Sequence, residues 1–152
     1  MTTSKAGELI RAKLAQKEQM KYFQDFEGLK LLELKDSKVL PEIKQPLSHF
    51  LKIGSVPKDK ISKNASPSDL NIWFDYCFKA ANDADSFIIS TGKFSDPYWA
   101  QIEIELGDKV ELLRLLWQDS KHSDFYWYDQ SNKVLNILFD EEHQYEFHRA
   151  EL

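Results

Sequence analysis

The feature that most constrains the fold is a change in hydrophobic periodicity between residues 82 and 86. Before it, apolar residues recur every three or four positions, as on one face of a helix. After it, several stretches alternate between apolar and polar residues, as in half-buried strands. This order predicts an α+β fold in which N-terminal helices pack on one face of a C-terminal antiparallel sheet, a meander. Residues 1–152 are expected to form a single domain, helical over about 1–82 and mainly sheet over about 86–150.

The first predicted helix covers about residues 5–26, and Gly28 is expected to end it. Its apolar residues recur at helical spacing and predict an amphipathic helix. They are Leu9, Ile10, Leu14, Ala15, Tyr22, Phe23 and Phe26.

Two later segments also have helical signals. "PLSHFLKIG" predicts a short helix with Pro46 in its first turn and Gly54 at its end. "SPSDLNIWFDYCFKAAND" has Ser66 as N-cap and Pro67 at the first helical position. The apolar stripe of the helix that Ser66 caps includes Cys77. We expect a buried structural thiol there, because reactive cysteines need an exposed, electropositive site.

The strand signals are mostly in the second half. "SFIIS" is typical of a buried strand, and in "WAQIEIEL" the residues Ile102, Ile104 and Leu106 alternate with Gln101, Glu103 and Glu105. Asp96-Pro97 is expected to break the chain between the two. "LKLLELKD", residues 29–36, is consistent with a strand or with irregular structure, and residues 55–65 are predicted to form a loop.

Residues 109–118 are ambiguous. As a helix, "GDKVELLRLLWQDS" has Asp108 as a capping residue and Glu111 three residues later. As a strand, the segment would form a hairpin through Gly107-Asp108, in which Glu105 lies opposite Glu111, an unfavourable pairing. We therefore predict the helix.

The chain closes with three predicted strands, "DFYWYD", "KVLNILFD" and "QYEFHRA". Strand geometry directs Phe125 and Trp127 to one face and Tyr126 and Tyr128 to the other. Phe125 and Trp127 are expected to form the hairpin core with three residues of the next strand. These are Leu135, Ile137 and Phe139. The exposure of the two tyrosines is left open.

Signals of catalysis are absent from the sequence. It has no glycine-rich phosphate loop, no serine elbow and no histidine spacing that predicts a zinc site, so no metal or cofactor is expected. One cysteine excludes an internal disulfide. The run Asp140-Glu141-Glu142 is more typical of a solvated turn than of an acid–base pair. The alternative to a non-catalytic protein-binding module is a small enzyme or ligand-binding domain with a pocket between helices and sheet.

Charge is distributed unevenly along the chain. Residues 1–64 hold 13 Lys and Arg against 8 Asp and Glu, whereas residues 65–152 hold 7 against 17. The acidic half is expected to repel nucleic acid and to attract a basic protein. Tyrosines beside carboxylates make a suitable contact surface for such a partner. The predicted partner-binding residues are Tyr126, Tyr128, Glu103, Glu105, Asp140, Glu141 and Glu142.

Small, acidic α+β proteins of the cytosol include the bacterial immunity proteins, which this chain resembles in general character. The stretch "LPEIKQPLSHFLKIG" is similar to Leu-Pro and Phe-Leu elements of the SUKH superfamily, although the spacing from Pro41 to Phe50 differs, and no family is assigned. The first 20 residues are charged throughout, and no apolar run approaches a membrane span, so the cytoplasm is the expected compartment. The resemblance implies a protein that neutralises a basic toxin, such as a nuclease, by occlusion.

Overall fold

The computed structural model describes residues 5–35, 41–50, 56–79, 84, 86–94, 98–105, 107–121 and 123–151. These residues form four helices and seven strands. The helices are α1 (Lys5–Asp25), α2 (Pro41–Phe50), α3 (Pro67–Phe78) and α4 (Lys109–Asp119). The strands are β1 (Leu29–Lys35), β2 (Asp59–Ser62), β3 (Ser86–Thr91), β4 (Trp99–Ile104), β5 (Phe125–Asp129), β6 (Val134–Asp140) and β7 (Gln144–Glu151). The predicted α+β class with an antiparallel sheet is confirmed.

All seven described strands belong to one antiparallel sheet, in the order β1-β4-β3-β5-β6-β7-β2. Strands β5, β6 and β7 are successive neighbours and form the meander. The first half of the chain contributes both edges of the sheet, because β1 pairs with β4 and β2 pairs with β7. The ambiguous segment after Gly28 is therefore a strand.

Aromatic packing dominates the face of the sheet that α1, α3 and α4 cover. Phe78 of α3 lies against Trp127 of β5 with ring centroids 5.0 Å apart, and Phe74 meets Trp117 of α4 at 4.3 Å. Trp127 also stacks on Phe147 of β7. Burial of each such ring contributes about 1.5–3 kcal/mol, so this layer is the main source of stability.

A second, smaller core lies on the opposite face of the sheet. Ile43 of α2 is buried there and Leu47 is partly buried beside it. The strand residues of this core are Ile88, Trp99, Tyr126, Tyr128, Leu135, Ile137 and Phe139. Helices thus cover both faces, whereas the sequence predicted cover on one. The reason is visible in β6, where Asn136 is the one polar residue between Val134 and Phe139, so neither face of that strand suits water.

The predicted starts of α3 and α4 are confirmed. Ser66 Oγ accepts a hydrogen bond from the Asp69 N–H at 3.1 Å. Asp108 Oδ1 accepts from the N–H groups of Val110 and Glu111 at 2.8 and 3.4 Å, so residues 109–118 are helical and the hairpin alternative is wrong. Cys77 is fully buried in α3, and burial raises the pKa of its thiol, as expected of a structural cysteine.

Two boundaries predicted from proline and lysine content are wrong. Residues 55–65 were predicted as a loop but contain the edge strand β2, in which Ile61 packs against the core and Lys60 is exposed. Charged residues are common in short edge strands, and here they concealed the strand pattern. The second helix begins at Pro41 rather than near Pro46, since either proline suits a first helical turn. Gly54, Asp96-Pro97 and Leu106 lie outside the described residues.

Phe125 and Trp127 do lie on the opposite face of the sheet from Tyr126 and Tyr128, as predicted, but all three predicted partners of Phe125 and Trp127 on the next strand are wrong. Phe125 and Trp127 lie in the large core, and Tyr126 and Tyr128 in the small one. The strand register sets Phe125 beside Leu138 and Tyr126 beside Ile137. Leu135, Ile137 and Phe139 therefore pack with the tyrosines, because a pairing offset of one residue exchanges the two faces.

Helix α1 is present as predicted, but its apolar stripe is not continuous. Phe23 is buried, whereas Leu9, Ile10 and Leu14 are 62%, 59% and 60% exposed. The buried positions of α1 are Gln19 and Phe23, both in its C-terminal half. The sheet therefore supports only that half, and the N-terminal half presents apolar side chains to water.

Candidate functional site

An open groove runs between the C-terminal half of α1 and helix α4. It consists of two adjoining cavities of about 770 and 410 Å³, which share Asp25, Phe26 and Asp119 in their walls. Together these cavities are called the acidic groove below. Its lining also includes Lys93 and Phe94 of the loop after β3.

Two glycines with left-handed backbone shape one end of the acidic groove. Gly28 has φ 95° and Gly107 has φ 87°, a conformation that side chains with a Cβ adopt only at a cost. Gly28 turns the chain from α1 into β1, and Gly107 turns it from β4 into α4. The Glu105 N–H donates to the Gly28 carbonyl at 2.9 Å, so the two turns are held side by side.

Carboxylates dominate the walls of the acidic groove. They are Glu18, Asp25, Glu27, Asp108, Glu111 and Asp119. Lys21 and Lys93 are the two basic lining residues among the described ones, so the lining carries a net charge of −4. Asp108 and Glu111 stand at the N-terminus of α4, where the helix dipole stabilises negative charge. The lining is consequently negative overall, with part of its charge offset by the α4 dipole and the two lysines, and it suits a cationic ligand.

The floor of the acidic groove is apolar. Phe26 and Leu112 line the larger cavity, and Phe94 lines the smaller one. Leu115 projects from α4 into the larger cavity and is 43% exposed. Carboxylate walls over an apolar floor fit a ligand that is cationic at its edges and apolar at its centre.

A cluster of polar contacts holds α1 against α4 across the smaller cavity. The Tyr22 hydroxyl donates to Asp119 Oδ2 at 2.6 Å, and Lys93 Nζ donates to the same oxygen at 3.0 Å. Lys93 also lies over the Tyr22 ring, 4.9 Å from its centroid. The hydrogen bond from Tyr22, and then the one from Lys93, lowers the pKa of Asp119, so this carboxylate stays ionised at neutral pH. Partial burial, reinforced by Asp119, raises the pKa of Tyr22.

The two tyrosines proposed from sequence as partner contacts lie on the other face of the sheet. Tyr128 is 2% exposed and is part of the small core. Tyr126 is partly buried between Trp99 and Phe139. Burial, together with the nearby Asp124 carboxylate, raises the pKa of Tyr126 to about 12. Of the two, only Tyr126 has surface to offer a partner.

The run Asp140, Glu141 and Glu142 forms an exposed turn between β6 and β7, here called the acidic turn. Asp140 makes an ion pair with Lys63, which also lies 5.0 Å from the centroid of the Tyr145 ring. Glu142 is 3.5 Å from His143, and both side chains are largely in water. The acidic turn is thus a partly neutralised, solvated surface.

The predicted acidic residues do not form one surface. Glu103 pairs with Ser86 on β3, and the register through β5 puts Glu103 at the opposite end of the strands from Asp140, three strands away. At about 3.3 Å per residue and 4.8 Å per strand, the two are separated by roughly 27 Å. Glu105, by contrast, adjoins the acidic groove through its hydrogen bond to Gly28.

None of the six carboxylates of the acidic groove was predicted from the sequence as a site residue. A weak signal existed, because Asp25 and Glu27 precede one glycine and Asp108 follows another. Charged residues at helix ends are common, however, and only the sheet order places the end of α1 beside α4. The juxtaposition is therefore a tertiary property.

Comparisons of the chain with models of known families, with curated proteins and with solved structures gave no match. Among the described residues, no three histidine, cysteine or carboxylate side chains converge as a metal site would require. None of the described helices combines the length and the apolar character needed to cross a bilayer.

Proposed function

We propose that this protein is a non-catalytic protein-binding module, a bacterial immunity protein that neutralises a basic toxin, such as a nuclease, by occlusion in the cytoplasm. The observation that carries the proposal is the acidic groove, with its lining charge of −4 and its apolar floor. A cationic, partly apolar segment of a partner is the ligand that this combination suits best.

Electrostatics supports recognition of a cationic partner. Six carboxylates line one concave surface, and concave surfaces of one sign concentrate the field and raise association rates with oppositely charged partners. A nuclease active site is basic because it binds phosphates. The same groove that attracts such a site repels nucleic acid, so the protein competes with the substrate of the toxin.

The apolar floor would contribute to the affinity for a partner protein rather than to its rate of association. Phe26 and Leu115 offer contact area at the centre of the groove, where a partner side chain would be shielded from water. Tyr22, Asp119 and Lys93 hold the two helices together, so the groove exists before binding and little ordering entropy is lost. Occlusion requires no chemistry from these residues.

The other predicted contacts have supporting roles in the proposal. The backbone of Glu105 is hydrogen-bonded to Gly28 in the groove lining, so its carboxylate adds to the negative charge near that end of the groove. Glu103 and the acidic turn add to the long-range negative field without touching the same part of a partner. Tyr126 would serve as a contact only for a partner that also reaches the opposite face of the sheet.

The decisive experiment is inhibition of a basic nuclease toxin encoded beside the gene for this protein. We expect a stable complex in which nuclease activity is lost and is recovered at high salt. The groove variant Asp25→Lys/Glu111→Lys should weaken inhibition by tenfold or more, since like charges then face each other.

The matched control is Glu141→Lys/Glu142→Lys, which changes the net charge equally but alters the acidic turn. This control should inhibit nearly as well as the natural protein. Inhibition that survives the groove variant, or the absence of any basic partner among the neighbouring gene products, would refute the proposal.

A further inference from the structure

The exposed half of α1 is chemically complementary to the acidic groove. Ile10, Lys13, Leu14 and Lys17 follow one another at spacings of three, one and three residues, so they lie on one face of the helix. All four are exposed. These four residues are called the basic face below. It joins two apolar side chains to two lysines, which is the composition that the acidic groove would accept.

The neighbouring charges strengthen this complementarity. Residues 5–17 carry four basic side chains and the single carboxylate of Glu8, whereas the lining of the acidic groove has a net charge of −4. Exposure of Ile10 and Leu14 on a monomer has an unfavourable hydration free energy, which contact with the apolar floor would remove. Both surfaces belong to the same helix, so one chain cannot join them.

We infer that the occupant of the acidic groove in the free protein is the basic face of a second copy of this chain. The basic face lies at the N-terminal half of α1 and the acidic groove at its C-terminal half. A two-fold axis crossing the helix near Glu18 sets Ile10 level with Phe26, and Leu14 level with Tyr22, of the partner copy. One antiparallel helix pair therefore satisfies both contacts at once and closes the dimer.

The dimensions of α1 agree with this arrangement. A helix of 21 residues is about 31 Å long, and Ile10 and Phe26 are about 24 Å apart along its axis. Lys21, four residues beyond Lys17, lines the smaller cavity, so the basic face runs continuously into the acidic groove. The two surfaces are adjacent stretches of one helix side rather than unrelated patches.

The pairing has a consequence for recognition. The second copy fills the acidic groove, so a cationic partner must displace it before binding. The dimer does not depend on the identity of that partner. Its test uses this chain alone, so failure of the dimer and failure of the proposed function are separate outcomes.

The test is sedimentation velocity over a range of protein and salt concentrations. The natural chain should form a dimer that dissociates as salt rises. Leu14→Glu should weaken self-association by about tenfold or more, because it places a carboxylate against carboxylates and an apolar floor. Leu14 is exposed, so this variant should keep the helical circular dichroism of the natural protein.

The matched control is Ile72→Glu, which changes an apolar side chain of α3 that is 66% exposed and lies outside the acidic groove. This variant should dimerise as the natural chain does. Lys13→Glu/Lys17→Glu should be monomeric, and adding Asp25→Lys/Glu111→Lys to it should restore the dimer. A chain that is monomeric at all concentrations, equal effects of Leu14→Glu and Ile72→Glu, or no restoration by the charge exchange would overturn the inference.

Discussion

At the scale of single residues, Tyr22 links the parts of the protein that surround the smaller cavity of the acidic groove. Its hydroxyl meets Asp119 on α4, its ring packs edge-on against Phe94, and Lys93 lies over that ring. One side chain thus contacts both helices and the loop after β3. The groove is held open by specific contacts at this point, which makes it testable by substitution.

Tyr22→Phe should lower the free energy of unfolding at pH 7. A hydrogen bond to a charged group contributes about 1.5–3 kcal/mol when buried, and exposure of this one reduces the expected loss to about 1 kcal/mol. Urea unfolding followed by tryptophan fluorescence would measure the difference. The control Tyr76→Phe, on an exposed tyrosine of α3, should change stability much less.

The contribution of Asp119 should depend on pH. Its pKa is lowered in the folded protein, so its stabilisation is present above its unfolded-state pKa of about 3.9 and is lost as the pH falls through the folded value. The difference between the natural chain and Asp119→Asn should therefore shrink between pH 6 and pH 3, as urea unfolding at each pH would show. A difference that grows with acidification would contradict this assignment.

Asp124 should behave in the opposite way. Desolvation raises the pKa of this carboxyl, and this effect outweighs the hydrogen bond from the Asp140 N–H, which lowers the pKa. Ionisation of Asp124 therefore destabilises the folded state as the pH rises above its unfolded-state value. Asp124 Oδ1 accepts from the Asp140 N–H at 2.8 Å, a bond that an amide oxygen can replace. Asp124→Asn should therefore raise stability at pH 7 by roughly 0.5 kcal/mol, with no gain at pH 3. Thermal unfolding at both pH values would test this expectation.

At the scale of secondary-structure elements, the acidic groove depends on how two helices begin and end. Gly28 turns the chain out of α1, and Gly107 with Asp108 starts α4. Arg114 of α4 binds Asp75 of α3 at 2.7 Å, so α4 is fixed on its other side as well. The groove is consequently a gap between two helices that are linked to each other through Tyr22 and Asp119, with α4 also held by α3.

The cap of α4 allows charge and structure to be separated. Asp108→Ala removes the acceptor for two N–H groups and should cost about 1 kcal/mol of stability. Asp108→Ser keeps a capping oxygen and should cost much less, although it removes the same carboxylate from the groove. Chemical unfolding of both variants would compare them. Equal losses would mean that the negative charge, and not the cap, stabilises this helix end.

Local sequence signals predicted where helices and strands form. They did not predict the contacts between elements that are distant in the sequence. Ser66-Pro67 and Asp108 predicted the starts of α3 and α4 because capping involves neighbouring residues. The strand β2 was not predicted because its residues have little intrinsic preference for a strand. It is a strand because it pairs with β7, a contact between distant parts of the chain. Exposure of Ile10 and Leu14 also escaped prediction, since spacing shows that residues share a face and not what covers it. The acidic groove joins residues more than 80 positions apart, which no local pattern reveals.

At the scale of the whole molecule, the net charge of −5 matters less than its placement. The acidic groove and the acidic turn are separate negative regions, and lysines of α1 form a positive one. Such a distribution favours oriented encounters over general attraction. Under the two proposals made above, one surface would serve self-association and recognition in turn.

The most direct test of the account is the rate at which a dye-labelled helical peptide of lysine and leucine associates with the protein. Stopped-flow measurements, at protein concentrations low enough for the natural chain to be monomeric, would compare it with Asp25→Lys/Glu111→Lys and Glu141→Lys/Glu142→Lys. The ionic strengths would be about 0.01 and 1 M, between which the Debye length falls from about 30 to about 3 Å. We expect the groove variant to slow association by tenfold or more at low salt and the turn variant to have little effect, and we expect the difference to disappear at high salt. Equal rates for the two variants at low salt would contradict the account.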